Sequence, residues 1–578
     1  MRLIREAYTA ENFDLALSLS ESIKDTIACE RQLRGKTGEP QLGAESHGSV
    51  ASLPRAWSVW ARGWEYYKVV TFSETIGIAR SNEPVDLGTA FHVDQTVDLQ
   101  REVRVARVIP ETGILVEVPS QVYGEARRGH ERLCRLVFFA DAPAHGTVTY
   151  LILYGNPCAE LTAYKTDLRV TGEGYGLDVE NHHYVARLSR QTGQLERLTY
   201  KRQHGLELYA GGKGHGEPPT IDWANDYVDH DGFQKFRIRN WSECPNYEVV
   251  RGPLCVRVRR WGFPHSPVHP LFAPSRMHVD QTYVFYAGKE FFIKEGTMDA
   301  VKDFRISAMR DDEWVLSGYS FTNTVWMDGD GKLHEGSVPS EQAENLWGAG
   351  FFNPTSRDSF IALWLDHSAV NFEGLRHSGS PTLHYPQHGQ LWSRYPTDGD
   401  EGALEAGASI RQRNAYLVSS YPENDAAGRI ERLRRQLLNP LVVHTDGSPA
   451  VDDASATGTL ARDGETLDTA PLKPRIWRAL REVKDEQLYR VDANIVDMGY
   501  VYDVSIRDGV VHVLLTMPHR GRPVYDYFVT QGGGHTTEGI REQLLRIEGI
   551  RDVVVDSTWN PPWTVARLTD AGQQALGL

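Results

Sequence analysis

Residues able to do acid–base or metal chemistry gather at a few places in this chain. The densest is a Pro-rich stretch holding His265, His269 and Arg276, with His278 at its exit. Two histidines four apart ligate a metal when they sit on a helix, but Pro264, Pro267 and Pro270 exclude a helix here. A loop would have to bring them onto one ion. The metal-free use of these residue types is β-elimination beside a carboxylate or carbonyl. A neutral His or Tyr takes the carbon-bound proton, an Arg offsets the enolate charge, and an acid protonates the leaving oxygen. On that reading His265, His269, Arg276 and Tyr283 are catalytic candidates. The competing reading is a proline-stiffened loop with its imidazoles in water.

The pair His182-His183 opens a strand-like stretch, where neighbouring side chains point to opposite faces, so His183 is a candidate base and His182 faces away from it. The run from Asp222 to Asp231 crowds Asp226, Asp229, Asn225 and His230 into one stretch. Oxygen-rich loops of this kind hold hard cations, and Asp226, His230 and His278 are the candidate ligands of a divalent metal, the one cofactor the residues suggest. The stretch lacks EF-hand spacing, and side-chain-capped turns explain the same composition. Further on, His384, Tyr385, His388 and Trp392 form a His/aromatic loop able to stack on sugar faces, or else to pack on itself.

These groups need elements to position them. From Met277 to Ala300 apolar and polar residues alternate around an Ala-Gly-Lys turn, with Val279, Gln281, Tyr283 and Phe285 on one face; this is a β-hairpin pattern. Similar short strands, broken by Gly, Pro and Asp, fill the chain from Tyr66 to Tyr154 and again from Gly176 to about Pro422. One hairpin there flanks the Gln191-Thr192-Gly193-Gln194 turn. The spacing predicts a mainly β protein with an antiparallel β-sandwich and no βαβ units. Neither dinucleotide- nor phosphate-loop patterns occur in the sequence. Residues 1–54 read as a helix and linker, 55–170 as the sandwich, 171–422 as a larger β domain, 423–470 as a helix and linker, and 471–578 as a small α+β domain. In the 423–440 helix, Ile430, Leu433, Leu437 and Leu438 are expected on one side and the arginines on the other.

The 578 residues exceed what one core holds. A formal charge of −15 argues against nucleic acid as the main partner, though a local Arg/His cluster could still meet an acidic substrate. Five scattered Cys argue against a disulfide framework, and no apolar run is long enough for a membrane span or a signal peptide. A soluble, cytoplasmic protein without a membrane partner is the expectation, with homo-oligomerisation left open.

Two resemblances sharpen this. The run from Gly176 to Leu198 and the hairpin Thr282 to Ala300 resemble the β-supersandwich shared by polysaccharide lyases, sugar mutarotases and many glycoside hydrolases. The likeness covers about 170–420 and implies a carbohydrate-active enzyme. The C-terminal segment resembles the metal–sulfur cluster assembly domain family through Asn494 to Tyr502, Trp559 to Trp563 and Ala575 to Gly577. That family has a Cys-Pro after its central hairpin; here Arg522-Pro523 stands at that place, and 471–578 holds no Cys. Arg520 and Arg522 are therefore candidate binders of an anion or a neighbouring domain.

Together these features point to a lyase acting by β-elimination on a glycoside or acidic oligosaccharide. The alternatives are a metal–sulfur assembly or scaffold protein and a non-catalytic sugar-binding protein.

Overall fold

The computed structural model describes residues 42–576, leaving out 110–111, 203–204, 210–219, 231–233, 267–274, 317–320, 322, 343–344, 373–382, 386–388, 395, 397–401, 445–471, 485–493, 508, 517–538 and 559–562. The expected N-terminal helix and the 445–470 linker lie outside the described residues. The chain is mainly β, in several largely antiparallel sheets with few helices. By its contacts it divides into two units: Met1–Ala163 with Leu441–Trp559 and Trp563–Leu578, and Tyr164–Pro440 with Asn560–Pro562. Among the described residues no helix is long and apolar enough to cross a membrane.

The first unit holds the expected sandwich. A six-stranded sheet built around Tyr66–Ser73 and Thr147–Tyr154 faces a three-stranded sheet of Arg80–His92, Ser120–Arg128 and Glu131–Ala142. Alternation sends Phe72 and Tyr150 of one sheet onto Phe138 of the other, with ring centroids 5.7 and 5.2 Å apart. The outer face of the larger sheet packs on the short helix Arg55–Trp60 through Trp57, whose indole donates to the Gly113 carbonyl at 2.6 Å.

At one end of this sandwich Glu74 organises a turn. Its carboxylate accepts backbone N–H bonds from Ile76, Gly77, Ile78 and His145 and pairs with Arg80 at 3.1 Å. Burial alone would raise its pKa, but those donors and Arg80 hold it down at about 2. A carboxyl held below its unfolded value stabilises the fold above the ordinary carboxylate range, and that contribution fades as pH falls towards 2. Glu74→Gln should cost about 1–3 kcal/mol at neutral pH. The gap to the parent, followed by thermal melts, should narrow in acid; a gap constant from pH 7 to pH ~3 would refute the account.

The C-terminal part of this unit forms its own core around Ile476, Leu480, Tyr500, Val511, Val513, Ile540 and Leu544. The hairpin Val501–Arg507 and Val510–Leu515 turns through Gly509, whose φ of +76° suits glycine. Asp552–Ser557 adds a third strand, parallel to Val510–Leu515, and the helices Leu472–Leu480, Ile540–Leu545 and Asp570–Leu576 complete the α+β domain.

The second unit is built on a nine-stranded antiparallel sheet with smaller five-, four- and three-stranded sheets. Its centre is Met277–Tyr286, Phe291–Ala300 and Ser409–Ser420, so the expected hairpin is the middle of the largest sheet. The helix Ala426–Leu438 buries Ile430 but departs from the expected face: Arg434 is buried and Leu438 is exposed. Arg434 follows Ile430 by one turn and donates to the Trp364 carbonyl at 3.0 Å, where the ladder of Asp358–Val370 with Ser409–Ser420 slips register. A freed carbonyl is satisfied by a guanidinium whose stem lies in the core.

Candidate functional site

On the nine-stranded sheet, strand register places Val258, Tyr283, Lys294, Asn414 and Trp364 side by side across one face. The adjoining row on the same face is Arg260, Gln281, Gly296, Gln412 and His367. Two acids reach this polar band from outside the sheet: Asp222, from the stretch after Thr220, and Asp312, which opens the strand Asp312–Leu316.

Lys294 Nζ donates to Asp222 Oδ1 at 2.9 Å and lies 3.5 Å from Asp312 Oδ1. The Tyr283 hydroxyl donates to Asp222 Oδ2 and accepts the Leu195 backbone N–H at 3.1 Å. Tyr416 donates to Asp312 Oδ1 at 2.6 Å, and the indoles of Trp314 and Trp364 donate to the same carboxylate at 2.9 and 3.3 Å. The result is one line: Tyr283, Asp222, Lys294, Asp312, Tyr416. Each member is buried. Burial first, and then the neighbouring carboxylate, pushes both phenols well above their ordinary pKa, so both hold their protons. Beside the line, Gln412 donates to the Asp311 carbonyl at 2.5 Å, and the Asp311 carboxyl is ion-paired with Arg394. Burial raises the Asp311 pKa despite Arg394. Chemically the line combines paired carboxylates, an ammonium between them and a protonated phenol on each acid, the set needed for proton transfer in both directions.

The Asp-rich stretch leads outward from this line. Each of its described carboxylates already holds a cation: Asp222 holds Lys294, Asp226 holds Arg310 with Lys235 at 3.3 Å, and Asp229 lies 3.4 Å from Arg276. Trp223, half-buried, carries the Arg239 guanidinium over its ring at 4.0 Å.

The expected site residues separate. Tyr283 sits in the line. Arg276 and His278 precede and follow Met277, in the opposite phase of the strand from Tyr283; Arg276 pairs with Asp229, and His278 packs edge-on against Phe263 at 5.4 Å. His265 is held through its backbone, exchanging hydrogen bonds with Arg237. His183 lies one residue before the strand Tyr184–Leu188, its ring edge-on to His182. His230 bonds Ser307 at 3.0 Å. Among the described residues no three His, Cys, Asp or Glu side chains gather as a metal requires, so Asp226, His230 and His278 do not form one site. Alternation explains part of this: a strand that buries Tyr283 turns His278 to its other face. His384 and Tyr385 lie in the strand Leu383–Tyr385 and Trp392 in its partner Gly389–Arg394, in register with Trp314; His269, His388, Arg520 and Arg522 lie outside the described residues.

Asp222, Lys294, Asp312 and Tyr416 were not among the expected site residues. A signal for Lys294 exists: in Phe292-Ile293-Lys294 the lysine occupies the inward phase of a strand whose inward neighbours are Phe292 and Met298. Asp222 and Asp312 carry no such signal, because they arrive from other segments.

In the C-terminal domain the motif residues meet one another. Asn494 Oδ1 accepts the Val496 and Asp497 N–H groups, and Thr569 donates to Asp497 at 2.9 Å. Gly499, with φ +66°, passes close to Arg567, and Trp563 donates to the Met498 carbonyl at 2.7 Å. Residues 473–530 match the iron-sulfur cluster assembly protein family. A segment of 108 residues is 32% identical to the Fe-S protein maturation auxiliary factor YitW of Bacillus subtilis, covering 95% of that protein and 18% of this chain. The chain belongs to the iron-sulfur cluster assembly protein family. Its membership rests on this domain alone.

Solved structures also align with parts of this chain at low identity. A protein in glycosyl hydrolase family 38 from Enterococcus faecalis aligns over 70% of this chain and 49% of its own, with TM-score 0.41 and 10% identity. A galactose mutarotase-like protein from Lactobacillus casei aligns over 43% of this chain and 99% of its own, with TM-score 0.27 and 10% identity. The chain thus spans about half the length of the first of these structures.

Proposed function

We propose that the chain is a carbohydrate-active enzyme, a lyase that breaks a glycosidic bond by β-elimination on an acidic sugar. The observation that carries this reading is the line Tyr283–Asp222–Lys294–Asp312–Tyr416 on the face of the largest sheet. In this reading Asp222 takes the carbon-bound proton, and Tyr283, protonated at rest, gives its phenolic proton to the leaving oxygen as the bond to carbon breaks. Lys294 balances the two carboxylates. The test follows the unsaturated product, a conjugated enoate absorbing near ~235 nm, on a panel of uronate-containing oligosaccharides. Tyr283→Phe and Asp222→Asn should each lower turnover about 10²-fold with circular dichroism unchanged. A parent protein that raises no absorbance on any member of the panel, or a Tyr283→Phe variant at full rate, sinks the proposal.

The family membership of the C-terminal domain favours a second reading, in which the chain serves iron–sulfur protein maturation and the β portion docks a client. Anaerobic reconstitution with iron and sulfide separates the two. Cluster held by the purified chain supports the second, and its absence alongside sugar turnover supports the first.

A further inference from the structure

Beside the acid–base line, the next row of the sheet carries polar groups that the fold itself does not use. Arg260 stands directly opposite Gln281, which stands opposite side-chain-free Gly296. Arg260 and Gln281 are each 1% exposed. Arg260 donates from Nη1 to the Thr192 carbonyl at 3.1 Å, and its guanidinium lies 4.8 Å from the Tyr283 ring centroid. Among the described residues its Nε and Nη2 have no acceptor, and neither amide atom of Gln281 has a partner. Buried donors and acceptors without partners are rare because each forfeits its hydrogen bonds to water.

The seat of Arg260 is shaped for it. Gly193, in the Gln191–Gln194 turn, has φ +69°, and a Cβ there would run into the Arg260 side chain. The same turn holds the acid-bearing stretch, since Gln194 donates to the carbonyls of Asp222 and Ala224 at 3.0 and 2.6 Å. The next residue, Asn225, is also 1% exposed with both side-chain polar atoms unpartnered.

Nε and Nη2 form one edge of a guanidinium, two parallel N–H donors matched to the two oxygens of a carboxylate. We infer that Arg260 and Gln281 form a binding site for a carboxylate, the acid group of a uronic-acid residue held beside Tyr283. The uronate identity rests on the lyase reading above; the carboxylate chemistry rests on the unpartnered donors.

The test titrates D-glucuronate into the full-length protein by calorimetry, with D-glucose and inorganic phosphate as controls. Glucuronate should bind at least about 10-fold more tightly than either control. Arg260→Lys keeps the charge but loses the fork, and should weaken glucuronate about 10-fold or more. In case that buried variant misfolds, Gln281→Met supplies a second test: it removes unpartnered polar atoms, so it should melt no lower than the parent in the absence of ligand while binding glucuronate more weakly. No glucuronate binding up to about 10 mM, phosphate binding equal to glucuronate, or variants of parental affinity, the result if only water fills the site, would overturn the inference. Glucuronate binding without eliminase turnover would leave this site standing and remove the lyase. Turnover on neutral sugars without carboxylate preference would remove this site and leave the enzyme.

Discussion

Lys294→Met should be among the most damaging single changes in the second unit. Lys294 is 1% exposed and lies between the carboxylates of Asp222 and Asp312, which are just as buried. Methionine fills the space of the side-chain stem but leaves two acids facing each other without their cation. Removing one partner of a buried ion pair costs about 3–5 kcal/mol, because the stranded charge keeps its desolvation penalty. For a unit of this size that is a fall of roughly 10 °C in melting temperature. Trp314 and Trp364 both donate to Asp312, so the change alters the surroundings of two of the fourteen Trp and should shift part of the intrinsic fluorescence. The double variant Lys294→Met with Asp222→Asn should recover part of the loss, since neutralising one acid relieves the repulsion. Activity should be lost in both. A Lys294→Met protein melting within about 2 °C of the parent would show that the line is not a closed ionic network.

How much of this could be read beforehand differs by element. The hairpin from Met277 to Ala300 was legible because a strand has a period of two residues, which puts Gln281 and Tyr283 on one face with Val279 and Phe285. Tyr283 was named for its proton-transfer chemistry, and the structure keeps it in the line. His265, Arg276 and His278 are close to it in sequence, yet strand phase and a backbone bridge to Arg237 take them elsewhere. Proximity along the chain is a poor guide where alternate residues face opposite ways. Asp222 and Asp312 were not legible as partners of Lys294, because which segment covers a sheet face is decided by long-range packing. The C-terminal domain was legible for a different reason. Its motif residues bind one another, as in the Trp563 bond to the Met498 carbonyl, so the fold itself requires them as a set.

Asp226→Ala should be the other large loss, and it bears on whether the Asp-rich stretch takes a metal. Asp226 is 2% exposed and accepts two bonds from the Arg310 guanidinium, with Lys235 at 3.3 Å and Arg237 at 3.7 Å. Burial lowers the Lys235 pKa while Asp226 supports its charge, so losing Asp226 lowers that pKa further. Arg310 keeps Glu313 as a second partner, which softens the loss, and about 3 kcal/mol is expected. Asp226→Asn retains the shape but not the charge and should fall between the variant and the parent. A divalent cation at this carboxylate would have to displace three side-chain cations, so added calcium or manganese should leave the melting temperature of the parent unchanged. A cation-dependent rise in the parent that disappears in Asp226→Ala would instead make Asp226 a ligand, and the ion pairs described here a feature of the metal-free state.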